Sequence, residues 1–339
     1  MSHRTAPRIG IIPGDPSGIG PELIARLLAE DCASQADILL IGDTHVFELG
    51  QEQAGIDHPM TVMDPMVDDW HRFDRFAIYP MDTIAPEDVR VAQSTEASGR
   101  STLQALDQAL DFARQGIIDA VMFGPFNKAS MHMAGLGHSD ELHYMADRLG
   151  VDTYISELNT LDNMWTSRVT SHIALREVGD AISEDRISEA TLLIENTLRR
   201  AGYARPRIGV AALNPHAGDG GNFGREEIEI IEPAVRKLAG RQLSVNGPWP
   251  SDTVFLKVVR GELDAVVTMY HDQGQIALKL LGFERGVTVQ GGLPIPVTTP
   301  AHGTAFDIAG TGKADVGATR AAFEVACRMV THWDKAAAA

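Results

Sequence analysis

Short apolar runs alternate with amphipathic ones along most of the chain. RIGIIPG (8–14), ADILLIGD (36–43) and DAVMFGPFN (119–127) are nearly continuous β-formers, the pattern of strands buried on both faces. SRVTSHIAL (167–175), RIGVAALNP (207–215), DAVVTMYHD (264–272) and GVTVQGG (286–292) predict four more strands. Between them, 21–30, 94–116, 182–202 and 225–240 carry apolar residues at helical spacing. Pro21 suits a first helical turn and Gly116 suits a helix end. The alternation predicts an α/β protein of three-layer α/β/α architecture. No repeat, low-complexity tract or linker interrupts it.

A length of 339 residues suggests two domains or one large α/β unit, and 44% hydrophobic content is ample for a core. The net charge of −17 leaves no basic patch to neutralise phosphates, so neither nucleic acid nor an anionic membrane is an expected partner. Cys32 and Cys327 are far apart and in no metal-ligand spacing, which predicts reduced core residues. The start of the chain lacks the apolar core of a signal peptide, and no stretch is long and apolar enough to span a membrane, so a cytoplasmic location is expected. The terminal KAAAA reads as a frayed tail or cloning scar.

The chemistry gathers at predicted strand ends. VVTMYHDQGQ (266–275) runs from β-formers straight into His271, Asp272 and Gln273. His216 follows RIGVAALNP, and His172 sits late in SRVTSHIAL. Ligand sites in open α/β sheets lie beyond the carboxyl ends of strands, so the three imidazoles can converge on a borderline metal. Each is also open to a plainer reading as a core histidine with a bonded ring. His3, His45, His58, His71 and His332 read as surface or loop residues. Three glycine-rich segments compete for a ligand. GDPSGIGPE (14–22) is equally a structural turn and a ligand loop. NPHAGDGGNFGREE (214–227), with Asn214, Gly220 and Gly221, suits phosphate at a helix start or a mobile loop. HGTAFDIAGTGKAD (302–315) reads as small residues, an acid and a short apolar helix, with Asp307 either a ribose partner or a cap.

GDPSGIGPE, GHS (137–139), NPHAGDGGNFGREE, GPWPSDT (247–253), YHDQG, LKLLGF (278–283) and HGTAFDIAGTGKADVG together resemble the 4-hydroxythreonine-4-phosphate dehydrogenase family, in the family's order and over nearly the whole chain. That family belongs to the isocitrate/isopropylmalate dehydrogenase-like superfamily. The resemblance implies two intertwined subdomains with a cleft between them, and a homodimer whose active site is shared between subunits. It implies subdomains at about 1–125 plus 280–339, carrying the cofactor loop, and 126–279, carrying metal ligands and dimer contacts. It implies His172, His216 and His271 as ligands of a divalent cation (Zn, Co, Ni, Mn or Mg, with zinc favoured). It implies His138, Ser139, Asp252, Lys279 and Thr288 on the substrate. It implies NAD in the HGTAFDIAG loop at His302, Gly303, Thr304, Asp307 and Ile308. Thr288 and Val297 stand where the family has Asn and Arg, and valine cannot imitate a guanidinium anion clamp. A changed substrate with a more apolar wall is therefore expected, such as a sugar acid or carboxylated dihydrodiol.

The expected reaction is metal-assisted oxidation of a secondary alcohol by NAD, with decarboxylation if a β-keto acid forms. NAD is expected over NADP, since Asp307 would repel a 2′-phosphate. If 271–279 is helical, His271, Gln275 and Lys279 share one side. Lys279 then suits anion binding or proton relay, and Asp272 the orientation of a ligand imidazole. Two rivals stand beside this: a non-redox three-histidine hydrolase or aldolase, and a catalytically silent ligand-binding homologue.

Overall fold

The computed structural model describes residues 6–68, 70 and 76–333. His3, His71 and the terminal KAAAA lie outside them. The chain forms two compact units, Met1–Asp152 with Leu293–Ala339, and Thr153–Gly292. These boundaries fall later than 125/126 and 279/280. One cause is α5 (Glu141–Leu149), which is tied into the first unit through α3 (Glu96–Arg114). Tyr144 and Arg148 both bond Asp107, at 2.8 and 2.9 Å.

The first unit holds a parallel sheet in the order β3 (Phe76–Pro80), β2 (Asp37–Gly42), β1 (Arg8–Ile12), β4 (Ala120–Phe123), β11 (Val297–Pro300). Ile9, Ile11, Leu39, Leu40, Val121 and Met122 are all fully buried, as unbroken apolar runs require. Helices α1 (Gly20–Leu28), α2 (Thr44–Ala54), α3, α4 (Lys128–Met133), α5 and α11 (Gly317–His332) accompany it. Thr95 caps α3 by accepting from the Ser98 N–H, and Leu103, Leu106, Ala109, Leu110 and Ala113 form its buried stripe.

The second unit holds a mixed sheet in the order β10 (Val287–Gly291), β5 (Ser156–Leu161), β6 (Met164–Arg168), β9 (Ala265–Thr268), β7 (Ile208–Ala211), β8 (Val245–Trp249). β10–β5 and β5–β6 are antiparallel, and β6–β9, β9–β7 and β7–β8 are parallel. Its helices are α6 (Val178–Ala181), α7 (Glu184–Arg200), α8 (Glu232–Ala239), α9 (Val254–Val259) and α10 (His271–Gly282).

Three expectations are corrected. The strand expected at 167–175 ends at Arg168, because β5 and β6 form a hairpin turning at Asp162–Asn163, with Asp162 at φ 52°. His172 is therefore on the following loop. The strand expected to 272 ends at Thr268, and His271 opens a helix. The short helix expected within 302–315 is a series of turns; helix α11 begins at Gly317. His45 is half-buried in α2 rather than on a surface or loop, while His58 lies in a loop, its Nε2 2.9 Å from the Ala25 carbonyl. Cys32 and Cys327 are buried free thiols, and burial pushes Cys327 up to about 12. No described helix is long and apolar enough to cross a membrane.

The GDPSGIG segment is buried throughout, which favours its structural reading. Asp15 accepts from the Ser17 N–H at 2.8 Å and is fully buried. Burial pushes its carboxyl up to about 6, against the pull of that hydrogen bond. A raised pKa means that this group favours the fold at low pH and that the benefit is lost as pH rises through about 6. Asp15→Asn keeps the shape and removes the titration. It is expected to match the wild type at about pH 4 and to exceed it by up to roughly 3 kcal/mol at about pH 7, read by denaturant unfolding at both pH values.

Candidate metal and substrate site

In the second unit, β6, β9 and β7 are neighbours and run parallel, so their carboxyl ends lie side by side. His172 follows β6, His271 follows β9 and His216 follows β7. Each of the three histidines thus leaves the end of one of three adjacent strands. The rings of His172 and His271 are 5.5 Å apart between centroids, tilted by 47°. His271 Nδ1 is 2.7 Å from Asp272 Oδ1. A carboxylate only accepts, so this contact puts the N–H on Nδ1 and leaves Nε2 its lone pair. His216 instead lies beside Phe223, at 6.2 Å between centroids. Among the described residues no three His, Cys, Asp or Glu side chains gather closely enough to hold a metal. The structure brings together His172 and His271 and leaves His216 on its own loop.

That loop explains the separation. Pro215–Gly221 turns tightly, with His216, Ala217 and Asp219 at φ 55°, 54° and 44°. Left-handed backbone at residues with a Cβ is uncommon and costs energy, so something must hold it. Glu227, 2% exposed, does much of this. Its carboxylate accepts from the backbone N–H groups of Leu213 and Asn214 at 2.9 and 2.7 Å, and from Asn214 Nδ2 at 2.9 Å. Asn214 Nδ2 also reaches Glu226 at 2.7 Å. The amide expected to face a cofactor is therefore spent on its own loop. Gly220 and Gly221 sit at φ 64° and 99° in the same turn. Gln273 is the second tie: it accepts from the Met269 N–H at 2.7 Å and donates to the Ala212 carbonyl at 2.8 Å. One side chain thus links the end of β9 to the end of β7.

His271, Gln275 and Lys279 follow one another along α10 at the expected spacing. Gln275 Nε2 donates to Asn159 Oδ1 at 2.6 Å, while Lys279 is exposed. Thr288, 9% exposed on β10, accepts from Asn159 Nδ2 at 3.0 Å. Asp252 is exposed in the turn before α9. In the first unit, His138 is half-buried with Nδ1 3.1 Å from the Leu136 carbonyl, and Ser139 is exposed beside Asp140 and His143.

Also in the first unit, the turns after β11 carry the remaining candidates. Thr304 is buried, its carbonyl accepts from the Ile19 N–H at 3.2 Å, and a Cβ on Gly18 would come within 2.9 Å of its side chain. Ile308 packs against the cluster of Ile19, Leu23, Ala309 and Ala314. His302 is half-buried, and burial holds its imidazole below the usual range. Gly303 and Asp307 are exposed. Val297 is fully buried in β11, so it gives a ligand no apolar wall. Glu227, Glu157, Asn159 and Arg168 are not among the residues expected from sequence, and no local pattern marks them.

Glu227→Ala would strand several loop donors. It is expected to cost about 3 kcal/mol. Amide exchange should accelerate at Leu213 and Asn214 and stay slow in β2, which hydrogen-exchange mass spectrometry can read.

A family model described as "Pyridoxal phosphate biosynthetic protein PdxA" matches residues 34–326. A Pseudomonas aeruginosa protein provisionally named 4-hydroxythreonine-4-phosphate dehydrogenase 2 is 53% identical over 336 residues, covering 98% of this chain and 99% of that one. The D-threonate 4-phosphate dehydrogenase of Salmonella typhimurium strain LT2 is 37% identical over 309 residues, covering 90% and 94%. The crystal structure of 4-hydroxythreonine-4-phosphate dehydrogenase from Klebsiella pneumoniae superposes with a TM-score of 0.85 at 34% identity, covering 97% and 99%.

Proposed function

The chain belongs to the PdxA family, and on that premise we propose that it is an NAD-linked, metal-assisted dehydrogenase that oxidises the secondary alcohol of a small phosphorylated hydroxy acid. The names of its relatives support the reaction and the substrate class. The observation that carries the metal reading is the placement of His172, His271 and His216 beyond three adjacent parallel strands. The donor chemistry fits a borderline divalent ion: two imidazoles already adjoin, and Asp272 leaves Nε2 of His271 available. His172, His216 and His271 would hold it, and a bound divalent cation would lower the pKa of the substrate hydroxyl.

Other side chains divide the remaining work. Asp272 fixes the tautomer of His271. Gln273 and Glu227 hold the two strand ends and the His216 loop in register. Lys279, exposed two turns along α10 from His271, offers a cation to a substrate phosphate or a path for the released proton. His138, Ser139, Asp252 and Thr288 supply hydrogen bonds to substrate in this reading. His302, Gly303, Thr304, Asp307 and Ile308 would hold NAD by its adenosine half, with Asp307 toward the ribose, and the bound cofactor would supply the hydride acceptor. Neutral imidazole at His302 suits packing against a flat ring.

A homodimer is part of the same reading. Leu175 is 71% exposed, and Ile276, Leu280 and Leu281 on α10 are 59%, 82% and 46% exposed. Apolar side chains so bared suit a subunit interface. Leu280→Asp is expected to shift the mass measured by sedimentation from dimer to monomer and to cut activity with it; a dimer of unchanged stability would refute this seat.

The test of the function is reduction of NAD by the purified protein with D-threonate 4-phosphate or 4-hydroxythreonine 4-phosphate. Chelation should abolish turnover and added divalent ion restore it. His271→Ala is expected to lower kcat/KM at least about a hundredfold, and to reduce the metal that stays bound through gel filtration. Full turnover after chelation sinks the metal reading.

A further inference from the structure

The segment 301–316 joins β11 to α11 without a strand or helix of its own. A structureless stretch of that length inside a compact unit is uncommon, and is usually either mobile or functional. This one has an inner and an outer face. Ala309 and Ala314 are buried against Ile19 and Leu23, with Ala305 and Ile308 packed on the same cluster. Gly303 and Asp307 stay exposed. The inner face thus rests on α1 and the residue before it, and the outer face carries Asp307.

The polar anchors come from the same place. At the near end the Thr304 carbonyl accepts from the Ile19 N–H at 3.2 Å. At the far end one ion pair supplies two contacts. Glu22 Oε1 accepts from the Ala314 N–H at 3.0 Å, and Arg26 Nη2 donates to the Gly312 carbonyl at 2.8 Å. Arg26 Nε and Nη2 also reach Glu22 Oε1, at 3.0 and 2.9 Å, so each partner fixes the other. The Glu22 side chain is fully buried and that of Arg26 is 27% exposed. An ion pair along a helix surface contributes little by itself. Burying its carboxylate costs more than the pair returns unless further hydrogen bonds complete it. Here the further bonds go to two backbone groups of a segment with no ladder or helix of its own to supply them. The pair is built toward the segment rather than for α1.

We propose that Glu22 and Arg26 are positioning residues that hold 304–314 in the shape that seats NAD, with Asp307 set toward the ribose. The proposal rests on the cofactor reading above and adds what keeps that seat formed. Neither side chain touches the cofactor; both act through the backbone at 312 and 314. A site formed only a fraction of the time binds its ligand more weakly by that fraction. Without the pair, the segment keeps its Thr304 anchor and its apolar contacts. A seat then formed about a tenth of the time weakens NAD about tenfold. The hydroxy acid, assigned to other side chains, keeps its KM.

The test is calorimetric binding of NAD to the purified full chain, beside kinetics in NAD and in D-threonate 4-phosphate. Arg26→Met keeps the aliphatic stem and removes the contacts to Glu22 and Gly312. It is expected to raise Kd and KM for NAD about tenfold and to leave KM for the acid unchanged. Amides at 312–314 should exchange faster while those of β1 exchange as in wild type. Arg26→Lys keeps the charge but not the planar fork, and should recover part of the affinity. Wild-type affinity for NAD in Arg26→Met overturns the proposal and leaves the cofactor reading standing. A parallel rise in both KM values with a fall in Tm also overturns it, since that marks a general structural role. If Arg26→Met does not fold, Arg26→Lys decides: an unchanged Kd overturns the proposal, and a raised Kd with an unchanged KM for the acid supports it. If wild type binds no NAD, the cofactor reading fails and this proposal falls with it.

Discussion

The proposed metal site depends on keeping the ends of β9 and β7 in register, and one side chain does this directly. Gln273 accepts from the Met269 N–H and donates to the Ala212 carbonyl. Both backbone groups lie just past strand ends, where the ladder no longer supplies partners. Glutamine can serve both because its amide carries an acceptor and donors on one rigid plane. The start of α10, and with it His271, is fixed relative to the strand that leads to His216. Glu227 then constrains the loop beyond β7 from the other side. His216 sits on irregular backbone and His271 opens α10, and the polar side chains that support them, Glu227 and Gln273, both come from helical segments.

The first unit solves a different problem by removing side chains. The turn at 14–20 and the turns after β11 approach closely enough that a methyl group at Gly18 would press on Thr304, and within the first turn one at Gly20 would lie 2.0 Å from the Pro13 carbonyl. Small residues here read equally as room for a ligand and as room for a neighbouring loop. The structure shows the second directly, through the bond from the Ile19 N–H to the Thr304 carbonyl. The turns after β11 are thus buttressed by a fully buried turn.

The buried parallel strands were legible because they are apolar without interruption, and α3 and α7 because their stripes are long and capped. β5 and β6 were not, since Glu157, Asn159, Thr166 and Arg168 break any apolar run, and the Asp162–Asn163 turn lies inside what reads as one irregular segment. Helix α10 was hidden by its start: His271, Asp272 and Gln273 look like a strand mouth, and Gly274 looks like a loop. The three histidines could be placed at strand ends from sequence. That the strands are adjacent, in the order β6, β9, β7, could not, because strand order is a tertiary property.

The resemblance places a family arginine at the position of Val297, and its loss predicts a more apolar substrate wall. The burial of Val297 argues against that step. Val297 is fully enclosed in β11 and presents no wall. In the second unit, Arg168 occupies a strand where a charge is costly to bury, and Glu157 and Asn159 supply the partners that make it tolerable. A pair of charges confined this way rarely improves on apolar packing for stability alone.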